Sequence, residues 1–255
     1  MLIDTHAHLT DSAFDEDREE IIRKAKESTV EKIITSGFNL PSSLDAVKLC
    51  HDYESLFASV GVYPENINEL TDECMSNLST LADDRKVVAI GEIGLQYTEG
   101  MPDKNAQKMG FVNQIKLAYS KKKPVVIHCR EAYGDTLEIL KQNKTFLEYG
   151  GTMHCFGGSE EVAKELLKLG LYISVGGVST FKNAERLRET IKSIPLERII
   201  LETDCPYLTP APFRGKRNSP ANIPLIAENL AHIKGVSVEE VARVTTENAR
   251  RLFKI

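Results

Sequence analysis

Eight short apolar runs punctuate the chain: Leu2 to His8, Lys32 to Phe38, Leu56 to Val62, Val87 to Leu95, Pro124 to Arg130, Gly151 to Phe156, Tyr172 to Val178, and Ile199 to Asp204. Each is of a length and continuity that suits a strand buried on both faces, and a stretch of helical spacing follows each one. The first such stretch shows the pattern. Phe14, Ile21, Ile22 and Ala25 form an apolar stripe among Asp15, Glu16, Asp17, Arg18, Glu19, Glu20, Arg23 and Lys24, as expected of a helix with one buried face. Its acids gather at the start and its bases toward the end, the distribution that the helix dipole favours.

Strand and helix alternating eight times without a linker predict an α/β chain forming a (β/α)8 TIM barrel, a single domain over residues 1–255. The competing architecture, an open doubly wound sheet, places a glycine-rich phosphate turn after its first strand. Here His6-Ala7-His8-Leu9-Thr10 stands in that place. After the eighth run, Cys205 to Ser219 reads as a long loop containing Pro206, Pro210 and Pro212, and helical segments over Ile223 to Ile233 and Val238 to Phe253 follow.

Composition narrows the class. Hydrophobic residues make up 42% of the 255, an ordinary share for a globular fold, and no run is long enough to span a membrane. The chain passes from Met1 straight into a strand with no basic segment and apolar core, so a cytoplasmic location and no membrane partner are expected. Five cysteines, Cys50, Cys74, Cys129, Cys155 and Cys205, show no Cys-x-x-Cys spacing, which argues against a disulfide framework or a thiolate metal site. Three of them directly follow His128, His154 and Asp204, so strand alternation should turn their thiols away from those neighbours as packing groups. The 32 Lys and Arg against 37 Asp and Glu leave a net charge of -5. That offers no basic face for coating duplex nucleic acid, and any such contact is expected to be local.

The chemistry lies where the strands end. His6 and His8 are two apart in an extended segment and leave it on one side, with Asp4 predicted on the same face. Glu92, His128, His154 and Asp204 close four further runs. A single strand histidine is more often a hydrogen-bonded structural group than a ligand. Four inward histidines with Glu92 and Asp204 are different, because such a buried polar collection is unfavourable unless a cation satisfies it. Imidazole with carboxylate suits Zn, Mn or Mg. Six donors exceed one tetrahedral ion, whereas two adjacent ions bridged by Glu92 would use them all. One or two divalent metal ions are therefore expected as cofactor. His51 and His232 fall in predicted helices outside the pattern.

With these motifs the chain closely resembles the TatD family of metal-dependent deoxyribonucleases. The resemblance runs through Asp4-Thr5-His6-Ala7-His8-Leu9, Gly91-Glu92-Ile93-Gly94-Leu95, Val126-Ile127-His128-Cys129-Arg130, Met153-His154-Cys155-Phe156, Leu201-Glu202-Thr203-Asp204-Cys205-Pro206 and Pro212-Phe213-Arg214-Gly215-Lys216-Arg217-Asn218. It implies an amidohydrolase-like barrel, divalent cations, and hydrolysis at DNA ends, often as a 3'-to-5' exonuclease. The family's ligand positions match His6, His8, Glu92, His128, His154 and Asp204. Two positions depart from the family pattern: Gln96 stands where Asp is usual, and Tyr63 where His is usual. Neither is one of the six, so metal binding should survive and the changes should bear on substrate contacts or rate.

The mechanism expected is attack on a phosphodiester by a metal-activated water, with Asp204 accepting its proton and Glu92 bridging the ions. Arg130 and the loop residues Arg214, Lys216 and Arg217 are candidates for holding phosphates, although short charge runs are usually just solvated. Glu202 is either the partner of Arg130 or an acceptor that orients a ligand histidine. Tyr63 and Tyr97 are candidates for stacking a base, against the commoner packing role. Nucleic-acid ends, mainly DNA, are the expected substrate, for a monomer or weak oligomer. Two rivals keep the site. One is a metal-dependent acyl or amide hydrolase such as a D-aminoacyl-tRNA deacylase, and the other is a non-catalytic module that binds nucleic-acid ends.

Overall fold

In the computed structural model, which describes residues 1–255, the apolar runs become eight parallel strands in chain order. They are β1 (Leu2–Ala7), β2 (Val30–Ser36), β3 (Leu56–Val60), β4 (Val87–Gln96), β5 (Val125–Arg130), β6 (Gly151–Met153), β7 (Tyr172–Val175) and β8 (Ile199–Leu201). A helix follows each of the first seven: α1 (Arg18–Glu27), α2 (Leu40–Asp52), α3 (Asp72–Leu81), α4 (Lys104–Ser120), α5 (Tyr133–Gln142), α6 (Glu160–Lys168) and α7 (Glu185–Ser193). After β8 come α8 (Ile223–Lys234) and α9 (Val238–Phe253). The result is the expected single-domain (β/α)8 barrel. No helix is long and apolar enough to cross a membrane.

Strand alternation divides the core in two. Ile33, Val125, Ile127, Ile199 and Leu201 join the main apolar cluster of 52 buried residues, packed with side chains of the helices. Their neighbours Ile34, Val126 and Ile200 turn the other way, into a cluster of ten with Ile3, Leu252 and Phe253. That smaller cluster fills the inside of the barrel at the end where the strands begin, with α9 as its plug. On the same parity His128 follows Val126 inward, and Glu202 follows Ile200.

The first strand departs from simple alternation. Ile3 packs in the inner cluster, whereas Leu2, Ala7 and Leu9 pack in the outer one, and the register with β2 shifts between Asp4 and Ala7. Asp4 therefore does not share the face of His6 and His8. Its carboxylate instead accepts from the Thr203 hydroxyl at 2.5 Å and the Thr203 amide at 2.9 Å. Thr5 donates to the Leu201 carbonyl at 2.8 Å, and these contacts stitch β1 to the end of β8, where no strand ladder forms. A register shift of this kind is invisible to a strict period of two.

Other boundaries also differ from expectation. The last three strands stop early, so His154, Glu202 and Asp204 lie in the loops just past β6 and β8. Phe14 is buried but sits in a short turn, Ser12–Phe14, ahead of α1. Backbone groups at helix starts are capped by side chains: Asn39 and Ser42 form a reciprocal capping box on α2, while Asp103, Ser159 and Ser237 accept first-turn amides of α4, α6 and α9. Such caps set where each strand-to-helix loop ends, and so hold the mouth of the barrel.

Candidate metal centre

Five strands deliver six donors to one bowl at the end where the strands finish. From the end of β1, His6 Nε2 and His8 Nε2 stand 3.2 Å apart. Glu92, in the middle of β4, divides its carboxylate between the two sides. Its Oε2 lies 3.3 Å from His6 Nε2 and 3.7 Å from His8 Nε2, and its Oε1 lies 2.9 Å from His128 Nδ1 and 3.5 Å from His154 Nε2. Asp204 Oδ1 completes the first side at 3.3 Å from His8 Nε2 and 3.7 Å from His6 Nε2. The rings of His6 and His154 stack with centroids 3.8 Å apart. The triplets His6, His8, Glu92 and Glu92, His128, His154 each bring one donor atom per residue close enough to hold a metal ion, as does His6 with His154 and Glu202.

Burial and charge explain how the groups share protons. Burial pushes Glu92 and Asp204 up, but the surrounding imidazoles outweigh it: His154, His128 and His6 hold Glu92 well below its usual range, and His8 and His154 lower Asp204. Burial lowers His6. Burial would lower His154 too, yet the charges of Glu202 and Glu92 raise it to about 10, and Asp204 raises His8 in the same way. The carboxylates therefore demand positive charge at the centre, and the upward shifts of His8 and His154 answer to that demand. A divalent cation meets that demand better, because each nitrogen and oxygen can then present a lone pair to it. Mixed imidazole and carboxylate donors without thiolate fit Zn, Mn or Mg chemistry. Asp4, pushed up to about 8 mainly by burial, belongs to the seam and not to this bowl.

Neighbours that no spacing rule would select hold the donors in place. Ser36, at the end of β2, accepts from His8 Nδ1 through its carbonyl at 3.0 Å, and its hydroxyl lies 3.1 Å from His6 Nδ1. Glu202 makes no ion pair with Arg130 and lies instead behind a candidate ligand histidine, the other role the sequence offered it. It faces His154 Nδ1 at 3.1 Å without the alignment of a hydrogen bond, and accepts from the Ser174 hydroxyl and the Cys155 amide at 2.6 Å each. Tyr63 reaches inward instead of offering a free ring, and its hydroxyl contacts Gln96 and His128.

Above the donors opens a cavity of about 910 Å³, with Phe38, Tyr63, Arg130, Tyr133, Tyr207 and Leu208 among its walls. Arg130 is exposed there at the end of β5. Of the basic loop, Arg214, Lys216 and Arg217 are exposed but do not line the cavity. Arg214 stacks over Phe181, Lys216 lies over Phe213, and Arg217 pairs with Asp17 and bonds the Ala13 carbonyl. Tyr97 bonds Asp135 at 2.6 Å, also outside the cavity. Cys155 corrects the sequence expectation for the thiols: the strand ends at Met153, alternation stops, and Cys155, at φ 43°, borders the cavity. Cys205 is fully buried as expected, and Cys129 Sγ lies 3.3 Å from the Thr136 hydroxyl. His51 pairs with Asp84, and His232 is exposed on α8. A larger open groove beside α1, about 1510 Å³, is lined mainly by charged residues such as Glu20 and Arg23, which pair with each other, and it holds no comparable donor cluster.

The model of the family described as TatD related DNase matches residues 3–254. The chain is 46% identical over 255 residues, all of both sequences, to the Bacillus subtilis (strain 168) protein called uncharacterized metal-dependent hydrolase YabD. It is 34% identical over 261 residues to the 3'-5' ssDNA/RNA exonuclease TatD of Klebsiella pneumoniae (strain 342), covering 100% of this chain and 98% of that one. The crystal structure of YjjV, a TatD homologue from Escherichia coli K12, superposes with a TM-score of 0.94 at 30% identity, covering 100% of this chain and 98% of that one.

Proposed function

The chain belongs to the family of TatD-related DNases, metal-dependent hydrolases, and on that basis we propose that it removes nucleotides from the 3' ends of DNA by hydrolysing phosphodiester bonds. The observation that carries the proposal is the pairing of a six-donor, anion-rich floor with an open rim on which the Arg130 guanidinium is committed to no ion pair. His6, His8, Glu92 and Asp204 would hold one divalent ion, and Glu92, His128 and His154 a second, with Glu92 shared. Ions bound there supply Lewis-acid polarisation of a phosphoryl oxygen and a lowered pKa for water.

The protein's own groups do the remainder. Three carboxylates, Glu92, Asp204 and Glu202, make the floor negative, so a phosphodiester approaches only when cations reverse that field. Arg130 then offers two parallel donors to a phosphate at the rim. Asp204, set just past β8 and held ionised by its histidine neighbours, accepts the proton released by the attacking water. Phe38 and Tyr207 provide aromatic walls for a terminal base, and stacking of this kind is tolerant of sequence. A cytoplasmic setting is part of this reading, supported by five thiols that are all free.

End-labelled single-stranded and duplex DNA and RNA, with acyl esters alongside, should be offered to the purified protein under Mn, Mg and Zn. Shortening of DNA from the 3' end is expected. Asp204→Asn should lower kcat by at least about a hundredfold while changing substrate binding far less. Near-normal kcat in that variant would remove Asp204 from the proton step, and hydrolysis of the esters in place of DNA would overturn the nuclease assignment.

A further inference from the structure

The two halves of the metal centre differ in their direct carboxylates, and within the poorer half His128 is backed only by neutral groups. This ring turns Nδ1 toward the shared carboxylate, 2.9 Å from Glu92 Oε1, and its other nitrogen toward the barrel wall. There Nε2 lies 2.9 Å from Gln96 Oε1 and 3.1 Å from the Tyr63 hydroxyl. Gln96 has little freedom. Its Nε2 donates to the Thr98 hydroxyl at 2.9 Å, its backbone amide and carbonyl are both held at 2.9 Å by the Gln107 side chain, and its Oε1 accepts from the Tyr63 hydroxyl at 2.5 Å. With the amide oxygen as the acceptor on this side, the matching His128 tautomer carries its proton on Nε2. That leaves the Nδ1 lone pair aimed at the centre.

An amide oxygen orients an imidazole without lending it charge. The partner of His128 in the same half is the opposite case, since His154 Nδ1 faces the Glu202 carboxylate, and His6 and His8 in the other half are backed by the neutral Ser36 hydroxyl and carbonyl. A carboxylate behind a ligating histidine raises its basicity and binds metal more tightly. What ranks the halves is their direct donors. The His6 and His8 half can draw on two carboxylates, Glu92 and Asp204, whereas the His128 and His154 half has only its share of Glu92.

We propose that the Tyr63 and Gln96 pair is a neutral positioning device that fixes the His128 tautomer and leaves the His128, His154, Glu92 position the weaker of two metal sites. The His6, His8, Glu92, Asp204 position then fills first and stays filled, and the second ion exchanges with the surroundings. Occupancy of the second site, and any step that needs both ions, follows the free metal concentration. The two residues at which this chain departs from the family pattern thus act on a donor, and not on substrate alone. The inference rests on the metal-binding part of the function proposed above and is independent of the substrate. Two classes of bound metal in a protein that cleaves no DNA would defeat the nuclease reading and leave this one standing.

The test is Mn2+ binding to metal-stripped full-length protein by equilibrium dialysis and calorimetry, with the spin-coupled signal of an Mn pair in electron paramagnetic resonance reporting double occupancy. Wild type should show two classes at least about tenfold apart, with the coupled signal arising only as the weaker class fills. Gln96→Glu, nearly isosteric, should tighten the weaker class by roughly tenfold and leave the tighter one unchanged. Gln96→Leu, which removes the acceptor, should weaken that class alone by a similar factor of about ten. Two classes of equal affinity in wild type would overturn the inference. So would a Gln96→Glu effect that is absent, or equal in both classes.

Discussion

Arginines of the same chemical type carry opposite expectations here because their surroundings differ. Arg130 is exposed over the cavity and its guanidinium has no protein partner, so Arg130→Ala should raise KM for an oligonucleotide by about tenfold or more and leave Tm nearly unchanged. Arg217 is tied to Asp17 and the Ala13 carbonyl, holding the loop after β8 against the segment after β1. Arg217→Ala should accordingly leave KM within about twofold, because an exposed ion pair of this kind is a weak structural tie remote from the rim. Steady-state kinetics on both variants decides the matter, and a larger KM effect at Arg217 would reverse the assignment. The sequence favoured Arg130, on the face of His128, over Arg217, for which a merely solvated loop was as good a reading. Donor types at strand ends were legible from spacing, since the periods of strand and barrel bring them to one mouth. What stands behind a donor was legible only for Glu202, one of whose two expected roles was to orient a ligand histidine. Ser36 and Gln96 reach His6, His8 and His128 from other strands, and that depends on the stagger between strands, which a single sequence does not display.

At the scale of elements, β4 and β5 form the wall on which Glu92 and His128 are set, paired from Ile90 with Val125 to Gln96 with Arg130. Gly94 lies opposite His128 in that pairing at φ 148°, and a Cβ there would stand 1.9 Å from the His128 carbonyl oxygen. No side chain fits without separating the strands. Gly94→Ala should therefore lower stability by more than about 3 kcal/mol in urea unfolding, through the clash and the glycine-only backbone. It should weaken metal binding as well, because Glu92 and His128 lose their common wall. An unfolding midpoint equal to that of wild type would show that the two strands separate at little energetic cost. Apolar runs located all eight strands, but the runs overshot at β6, β7 and β8. His154, Glu202 and Asp204 are as buried as strand residues or nearly so, so a pattern read from polarity extends through them although the ladder has already ended. The shift in β1 is hidden for the same reason: Asp4 reads as a polar residue in step with His6, and only its bond to Thr203 shows that it is not.

For the molecule as a whole the weak line is the junction between the first and last strands. Seven strand pairs are joined by ladders, but β8 and β1 meet without one. They are closed by Asp4 with Thr203, by Thr5 with the Leu201 carbonyl, and by two backbone bonds past the strand ends, Asp204 to His6 at 2.9 Å and His8 to Cys205 at 2.8 Å. The last two bonds bracket the donors themselves. An ion held by His6, His8 and Asp204 would tie the first strand to the segment after the last, and so act as a clasp on the barrel as well as a reagent. Stripping it should then destabilise the protein by more than the loss of a surface ligand: with free metal at a hundred times its Kd, the linkage is worth about 2.7 kcal/mol, or roughly 5 to 10 °C in Tm for a chain of this size. The loss should also be local. Hydrogen exchange after chelation should accelerate first at the amides of His8 and Asp204, while amides of the β4 and β5 ladder retain their protection. Uniform acceleration around the barrel, or an unchanged Tm, would show that the seam holds without the ion and that the metal serves the chemistry alone.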